Sequence, residues 1–142
     1  MKKTLILIII LAVSVTAYFV YKNSNKQENE QRNSNGIVVL DENTINQINK
    51  EVGEGNAVLL DVRTPAELKE DGYAKNSTHF ELAKLEEGKF PYIPTDMKVY
   101  IYCKSGARAG KAKTILEENG FTDVTNIGGL SDWEKAGGEV VK

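Results

Sequence analysis

Two continuous apolar runs of strand length, Ala57-Val58-Leu59-Leu60 and Val99-Tyr100-Ile101-Tyr102, each lead into a segment with the marks of a helix start. Runs without polar alternation suit strands covered on both faces, which is the condition of strands in parallel sheets flanked by helices. After the first run come Asp61-Val62-Arg63 and then Thr64-Pro65-Ala66-Glu67, with Thr as N-cap, Pro at the first helical position and Glu at the third. Gly72 fits the stop. Around this pair the same alternation continues. Ile37-Val38-Val39-Leu40 reads as a short strand, and Thr44-x-x-Gln47 has capping-box spacing for a helix carrying Ile45 and Ile48. Thr78-His79-Phe80 reads as a short strand and Leu82 to Glu87 as a short helix closed by Gly88. Ala109 to Asn119 reads as a helix with Ala109, Ala112, Ile115 and Leu116 on one face and Gly120 at its end. Val124 to Ile127 is a last strand, followed by Gly128-Gly129 and a helical turn with Trp133. Strands separated by helices predict an α/β fold with a parallel sheet and right-handed crossovers.

The front of the chain has a different character. Leu5 to Val20 is sixteen residues without a charge, behind Lys2 and Lys3 and with Tyr18 and Tyr21 at its far end. The run from Thr4 to Tyr21 only just approaches the ~20 residues needed to cross a bilayer. Residues 1–21 therefore read as a signal-anchor or a signal peptide forming an N-terminal hydrophobic helix. Val15-Thr16-Ala17 suits peptidase cleavage, and the terminal tyrosines suit an uncleaved anchor at a membrane interface. Lys2 and Lys3 orient the N-terminus toward the cytoplasm, so the expectation is an exported domain, membrane-anchored or, if the signal is cleaved, periplasmic or secreted. Residues 22–36 contain no aliphatic or aromatic side chain and read as a polar tether. A single domain then spans 37–142.

Charge divides along the same boundary. Residues 1–35 carry five basic and two acidic side chains, whereas 36–142 carry 13 basic and 18 acidic ones. An acidic domain is a poor general nucleic-acid binder. One Cys and one His exclude an intramolecular disulfide and a Cys/His zinc site. With neither a GxGxxG run nor a Walker loop, and with Met97 the only methionine of the domain, the expectation is no metal and no cofactor.

The one cysteine stands at the end of the second apolar run, in Cys103-Lys104-Ser105-Gly106-Ala107-Arg108. In parallel sheets, ligands sit where strand ends pass into helix N-termini. A sulfur there is expected to lie over backbone N–H groups and the positive end of a helix dipole, which favour thiolate over thiol and make Cys103 a nucleophile. Gly106 lets the loop turn without a Cβ, and Arg108 braces the loop or meets an anionic substrate. The following helix is charged against its dipole, with Lys111 and Lys113 early and Glu117 and Glu118 late. Together with Lys104 and Arg108 this gathers four cations in ten positions, from which an anionic substrate is expected. The competing interpretation of each feature is plain: a core cysteine, and lysines on a solvated face.

Three segments, Leu60-Asp61-Val62-Arg63-Thr64-Pro65-Ala66-Glu67-Leu68, the Cys103 to Arg108 loop and Gly128-Gly129-Leu130-Ser131-Asp132-Trp133, resemble in order those of the single-domain rhodaneses, the thiosulfate sulfurtransferase-like family, over residues 37–140. The resemblance implies a five-stranded parallel sheet with helices on both faces. It implies that Cys103 takes the outer sulfur of thiosulfate or another sulfane donor, such as a persulfide, holds it as a persulfide and passes it to a thiol or cyanide acceptor. Lys104 stands where the family commonly has Arg, keeping the charge without the two-pronged fork. Gly72-Tyr73-Ala74 stands in place of Gly-His-Ile, and Lys75-Asn76-Ser77 in place of Pro-Gly-Ala.

Asp61 and Arg63 match the family's Asp-Val-Arg segment and are candidates for support of the site, with Glu67, four residues beyond Arg63, expected in one network with it. His79 is expected to be structural, since a thiolate held by loop amides needs no general base. Trp133 is expected in the core. Two other functions use related machinery. One is a non-catalytic module that carries sulfur or binds a partner. The other is a phosphatase or arsenate reductase, but the four residues between Cys103 and Arg108 make a ring one residue smaller than a phosphatase loop, suited to sulfur rather than phosphate.

Overall fold

The apolar runs pair side by side at the centre of a parallel sheet in the computed structural model, which describes residues 14–18, 32–34 and 36–142. The chain divides into two units, Met1–Asn33 and Ser34–Lys142. In the first, residues 14–18 are helical and exposed; the rest of the expected hydrophobic helix lies outside the described residues, as does most of the tether. No helix among the described residues is long and apolar enough to cross a membrane.

In the second unit the elements run α1 (Glu42–Gly53), β1 (Ala57–Asp61), α2 (Pro65–Asp71), β2 (Tyr73–Ala74), β3 (Thr78–His79), α3 (Leu82–Glu86), β4 (Lys98–Cys103), α4 (Ala107–Glu118), β5 (Val124–Gly129), α5 (Leu130–Lys135) and β6 (Val140–Val141). The main sheet has the order β3-β1-β4-β5, all parallel. Successive side chains of a strand point to opposite faces, so each central strand feeds two cores. Leu60, Val99, Ile101 and Cys103 point toward α3 and α4, joining Leu85, Ala112 and Leu116. Leu59, Tyr100 and Tyr102 point the other way, joining Ile45 and Ile48 of α1 and Trp133 of α5. Each fully buried aliphatic side chain contributes about 1.5–3 kcal/mol by leaving water, and these rows hold helices on both faces.

The sheet departs from the expected five strands: four pair among the described residues. The Ile37–Leu40 run contributes one bridge at Val38, whose N–H donates to the Asn126 carbonyl at 3.0 Å. Asp41 ends the run by capping α1. Its carboxylate accepts from the Thr44 N–H at 2.7 Å and from the Thr44 hydroxyl at 2.6 Å, so the cap stands three residues before the expected one at Thr44. At α2 the expected cap stands: the Thr64 hydroxyl accepts from the Glu67 N–H while the Glu67 carboxylate accepts from the Thr64 N–H, with Pro65 first and Gly72 ending the helix.

Two further elements have little signal in sequence. Tyr73–Ala74 and Val140–Val141 form a two-stranded antiparallel ladder, too short to show alternation. Between β2 and β3, Asn76 takes φ 63°, the left-handed conformation that a glycine would adopt most easily and that Asn tolerates best among other residues.

Candidate functional site

Strand β4 ends on Cys103 at an irregularity. Its pairing with β5 runs Ile101 opposite Asn126 and then Cys103 opposite Gly129, so β5 holds one residue more over this stretch. A bulge of this kind kinks the strand and re-aims the side chain beside it. The chain then turns tightly through Lys104, Ser105 and Gly106 into α4. Gly106 sits at φ 89°, and a Cβ there would lie 2.7 Å from Ile37 Cδ1 and 3.3 Å from Gly128 Cα. Gly129 has no such freedom of conformation to offer; its value is space, since a Cβ on it would lie 2.2 Å from the Lys104 carbonyl oxygen. The Gly128-Gly129 pair thus lets the loop backbone lie directly on the end of β5.

Asn126 ties the two together. Its side-chain amide donates to the Gly106 carbonyl at 3.0 Å and its side-chain oxygen accepts from the Gly128 N–H at 2.9 Å. With both bonds buried, loss of this side chain would strand two backbone groups at about 1–3 kcal/mol each. Sequence reasoning did not single out Asn126. The signal was a lone side-chain amide inside the Val124–Gly129 strand.

The Cys103 sulfur accepts a hydrogen bond from the Gly106 N–H at 3.1 Å. This is narrower than the expected ring of several amides. The residue is also fully buried, 0% exposed, and belongs to the apolar cluster on the α4 side. Lys104, Ser105 and Ala107, which follow it in the loop, are exposed, and Gly106 is buried. Arg108 is next to the sulfur. Its guanidinium makes a two-pronged pair with Glu67, Nη1 to Oε2 at 2.7 Å and Nη2 to Oε1 at 2.6 Å, and is 33% exposed. These bonds, more than any other influence, raise the Arg108 pKa, and the nearby Cys103 adds to the same effect. The Arg108 hydrogen bonds likewise hold the Glu67 carboxylate down at about 2, against a smaller opposing effect of burial and with help from Thr64.

Glu67 therefore belongs to Arg108, across the site, and not to Arg63 as its helical spacing suggests. Arg63 turns the other way. It binds Asp61 through Nε at 3.0 Å and Nη2 at 2.7 Å, donates from Nη2 to the Gly72 carbonyl at 2.7 Å, and both side chains are 0% exposed. Burial pulls the Arg63 guanidinium down, and the Asp61 bonds and charge outweigh it to leave a net rise. Tyr102 completes this network by donating its hydroxyl to Asp61 at 2.5 Å; burial first, then the Asp61 charge, push the phenol above its ordinary range. His79 Nε2 lies 2.7 Å from the Arg63 carbonyl oxygen, a structural position. Trp133 is in the core, with Nε1 donating to the Glu139 carbonyl at 3.1 Å.

The expected gathering of four cations is not a free positive field, because each of the four has a carboxylate partner. Lys111 pairs with Glu86 of α3, and Lys113 pairs with Glu117 and donates to the Val124 carbonyl at 2.8 Å, so both are spent on neighbouring elements. Lys104 and Arg108 remain beside the loop, with Lys104 Nζ 3.6 Å from Asp71. No group of three or more His, Cys, Asp or Glu side chains suited to a metal occurs among the described residues.

The comparisons with known proteins meet this geometry. The family model for the rhodanese-like domain matches residues 44–136. Among curated relatives, an uncharacterized protein of Bacillus subtilis, YqhL, is 38% identical over 82 residues, 57% of this chain and 64% of its own length, so the chain spans somewhat under two thirds of that relative. The thiosulfate sulfurtransferase PspE of Escherichia coli is 34% identical over 74 residues, covering 51% of this chain and 70% of that protein. Among solved structures, a rhodanese-like domain protein from Staphylococcus aureus superposes with a TM-score of 0.54 at 26% identity, over 69% of this chain and 95% of that one. A rhodanese-like domain from Anabaena sp. shares the fold at 23% identity, with a TM-score of 0.54 over 99% of its length. With α2, the cysteine loop and the glycine pair all inside the matched span, this chain belongs to the rhodanese-like domain family.

Proposed function

We propose that the domain is a sulfurtransferase that moves a sulfane sulfur from thiosulfate, or from a persulfide donor, to a thiol or cyanide through a persulfide on Cys103. The observation that carries this reading is the hydrogen bond from the Gly106 N–H to the Cys103 sulfur, in a loop that carries Lys104 and Arg108. Relatives at about one-third identity that are named as sulfurtransferases support it. In the first step the Cys103 thiolate attacks the outer sulfur of thiosulfate. A Cys103 S–S bond forms, the S–S bond of thiosulfate breaks, and sulfite leaves with the electron pair. In the second, cyanide or a thiolate attacks the outer sulfur, the new S–S bond breaks and the Cys103 thiolate returns, leaving thiocyanate or an acceptor persulfide.

The Gly106 N–H donates to the Cys103 sulfur, a donor aimed at the atom where charge develops during transfer. Arg108, paired with Glu67 beside the sulfur, would share its guanidinium with the sulfonate end of thiosulfate. The N-terminal apolar run is read as the anchor or export signal that would place the domain outside the cytoplasm, and fractionation of the full-length protein with membranes or in the soluble extracellular phase tests that part.

Cys103 burial favours one second reading: a partner-binding rhodanese module in which the thiol is only a small core side chain. Turnover decides. The full-length protein is expected to convert thiosulfate and cyanide to thiocyanate, and Cys103→Ala to abolish that turnover while keeping the fold by circular dichroism. No turnover by the wild type would favour the module, and equal turnover by the alanine variant would remove Cys103 as the sulfur carrier.

A further inference from the structure

The N–H that donates to the Cys103 sulfur belongs to Gly106, a glycine at φ 89°. Glycine has the widest choice of backbone conformation, so an amide it carries keeps its aim only where neighbours hold the residue. Two side chains do so here. The Asn126 amide donates to the Gly106 carbonyl at 3.0 Å while its oxygen accepts from the Gly128 N–H at 2.9 Å. The Ile37 side chain lies against both glycines: a Cβ on Gly106 would stand 2.7 Å from Ile37 Cδ1, and one on Gly128 would stand 3.4 Å from Ile37 Cγ2.

Ile37 therefore fills the space that two absent side chains leave. The backbone keeps it there, because the Val38 N–H donates to the Asn126 carbonyl at 3.0 Å and the chain runs on to the Asp41 cap of α1. Asn126 thus takes the incoming chain on its backbone and the cysteine loop on its side chain. The family match starts at residue 44, so it gives Ile37 and Val38 no role. Ile37 is half-buried and carries neither charge nor exchangeable proton, so what it supplies to the loop is contact.

We propose that Ile37 is a positioning residue for Cys103. Together with Asn126 it clamps Gly106, so the segment ahead of α1 sets how firmly the amide is held on the sulfur. A donor fixed before reaction meets developing charge without first having to be ordered. Cutting the Ile37 side chain back leaves the glycine free to turn its amide away. The effect on turnover rests on the sulfurtransferase reading above; the effect on the loop stands without it.

Alkylation of Cys103 by iodoacetamide in the folded full-length protein tests the clamp apart from turnover. The sulfur is fully buried, so alkylation needs an opening, and a local opening is insensitive to low urea whereas global unfolding follows it. Ile37→Ala is expected to speed alkylation about tenfold with no urea dependence below the unfolding transition. Ile37→Val, which loses only Cδ1, is expected to lie between the two and carries the same comparison with a smaller disturbance of packing. In turnover of thiosulfate and cyanide, Ile37→Ala is expected to lower kcat about tenfold while KM for thiosulfate stays within about twofold, because the side chain holds the donor and not the substrate. Alkylation rates unchanged in both variants, or raised only as urea unfolds the whole protein, overturn the proposal. Faster alkylation of the variants in a protein whose wild type shows no turnover supports the clamp and overturns the sulfurtransferase reading. Wild-type turnover with an equal kcat in Ile37→Ala overturns the part of the clamp in sulfur transfer.

Discussion

Two arginine–carboxylate pairs flank the strand ends, and they differ in almost every physical respect. Arg63 with Asp61 is fully buried, joined by the Tyr102 hydroxyl and the Gly72 carbonyl. Arg108 with Glu67 is partly exposed, joins the cysteine loop helix to α2, and stands beside the sulfur. Removing one member of a buried pair strands a charge in low dielectric, whereas an exposed pair is screened by water and contributes little to stability. The difference teaches that the motif Asp61-Val62-Arg63 is scaffold at its Asp61 face, while the pair made by Glu67, a few residues on, joins two elements beside the sulfur.

The largest effect is expected where burial is complete. Asp61→Asn should destabilise the protein by about 3–5 kcal/mol in urea denaturation, because the Arg63 charge stays buried without its partner. A loss no greater than that of an exposed substitution would break the contrast between the pairs. Arg108→Ala should leave stability within about 1 kcal/mol yet lower kcat/KM for thiosulfate by about tenfold to a hundredfold, the size of one or two charged hydrogen bonds lost. If kcat/KM held and stability fell instead, Arg108 would be scaffold like Arg63.

The smallest effect is the most specific. The folded Glu67 carboxylate is held down at about 2 from an ordinary 4.5, first by Arg108. Its contribution is therefore fully present above pH 4.5 and is lost as pH falls toward 2. With Arg108 33% exposed, solvent screening reduces that contribution to about 1 kcal/mol. Glu67→Gln should cost that amount at neutral pH, and the gap between variant and wild type should close in acid. A gap that stayed constant between pH 6 and pH 2.5 would show that the Glu67 charge is not what stabilises the pair.

Much of this architecture was legible because local chemistry and tertiary context agree. The apolar runs 57–60 and 99–102, the Thr64 cap with Pro65 and Glu67, and the cysteine at a strand end all carry signals that packing reinforces. Where they part, sequence reasoning missed. Ile37–Leu40 has the composition of a strand, but the Asp41 cap immediately after it leaves room for a single bridge at Val38. Helical spacing joined Glu67 to Arg63, yet a residue 41 positions away takes it, which no local pattern encodes. Lys111 and Lys113 looked like a field for an anion, and their partners on α3, α4 and β5 turn them into braces. Asn126 was invisible for the same reason: its role exists only once β5 lies under the loop.

The claim on which the functional account rests is that the covered Cys103 sulfur receives sulfur. Intact-protein mass spectrometry after incubation with thiosulfate should show an added mass of about 32 Da, one sulfur, which peptide mapping places on Cys103 and which cyanide removes. A protein whose mass is unchanged by thiosulfate under conditions where Cys103 alkylates on unfolding would contradict the account and leave the thiol as part of the core.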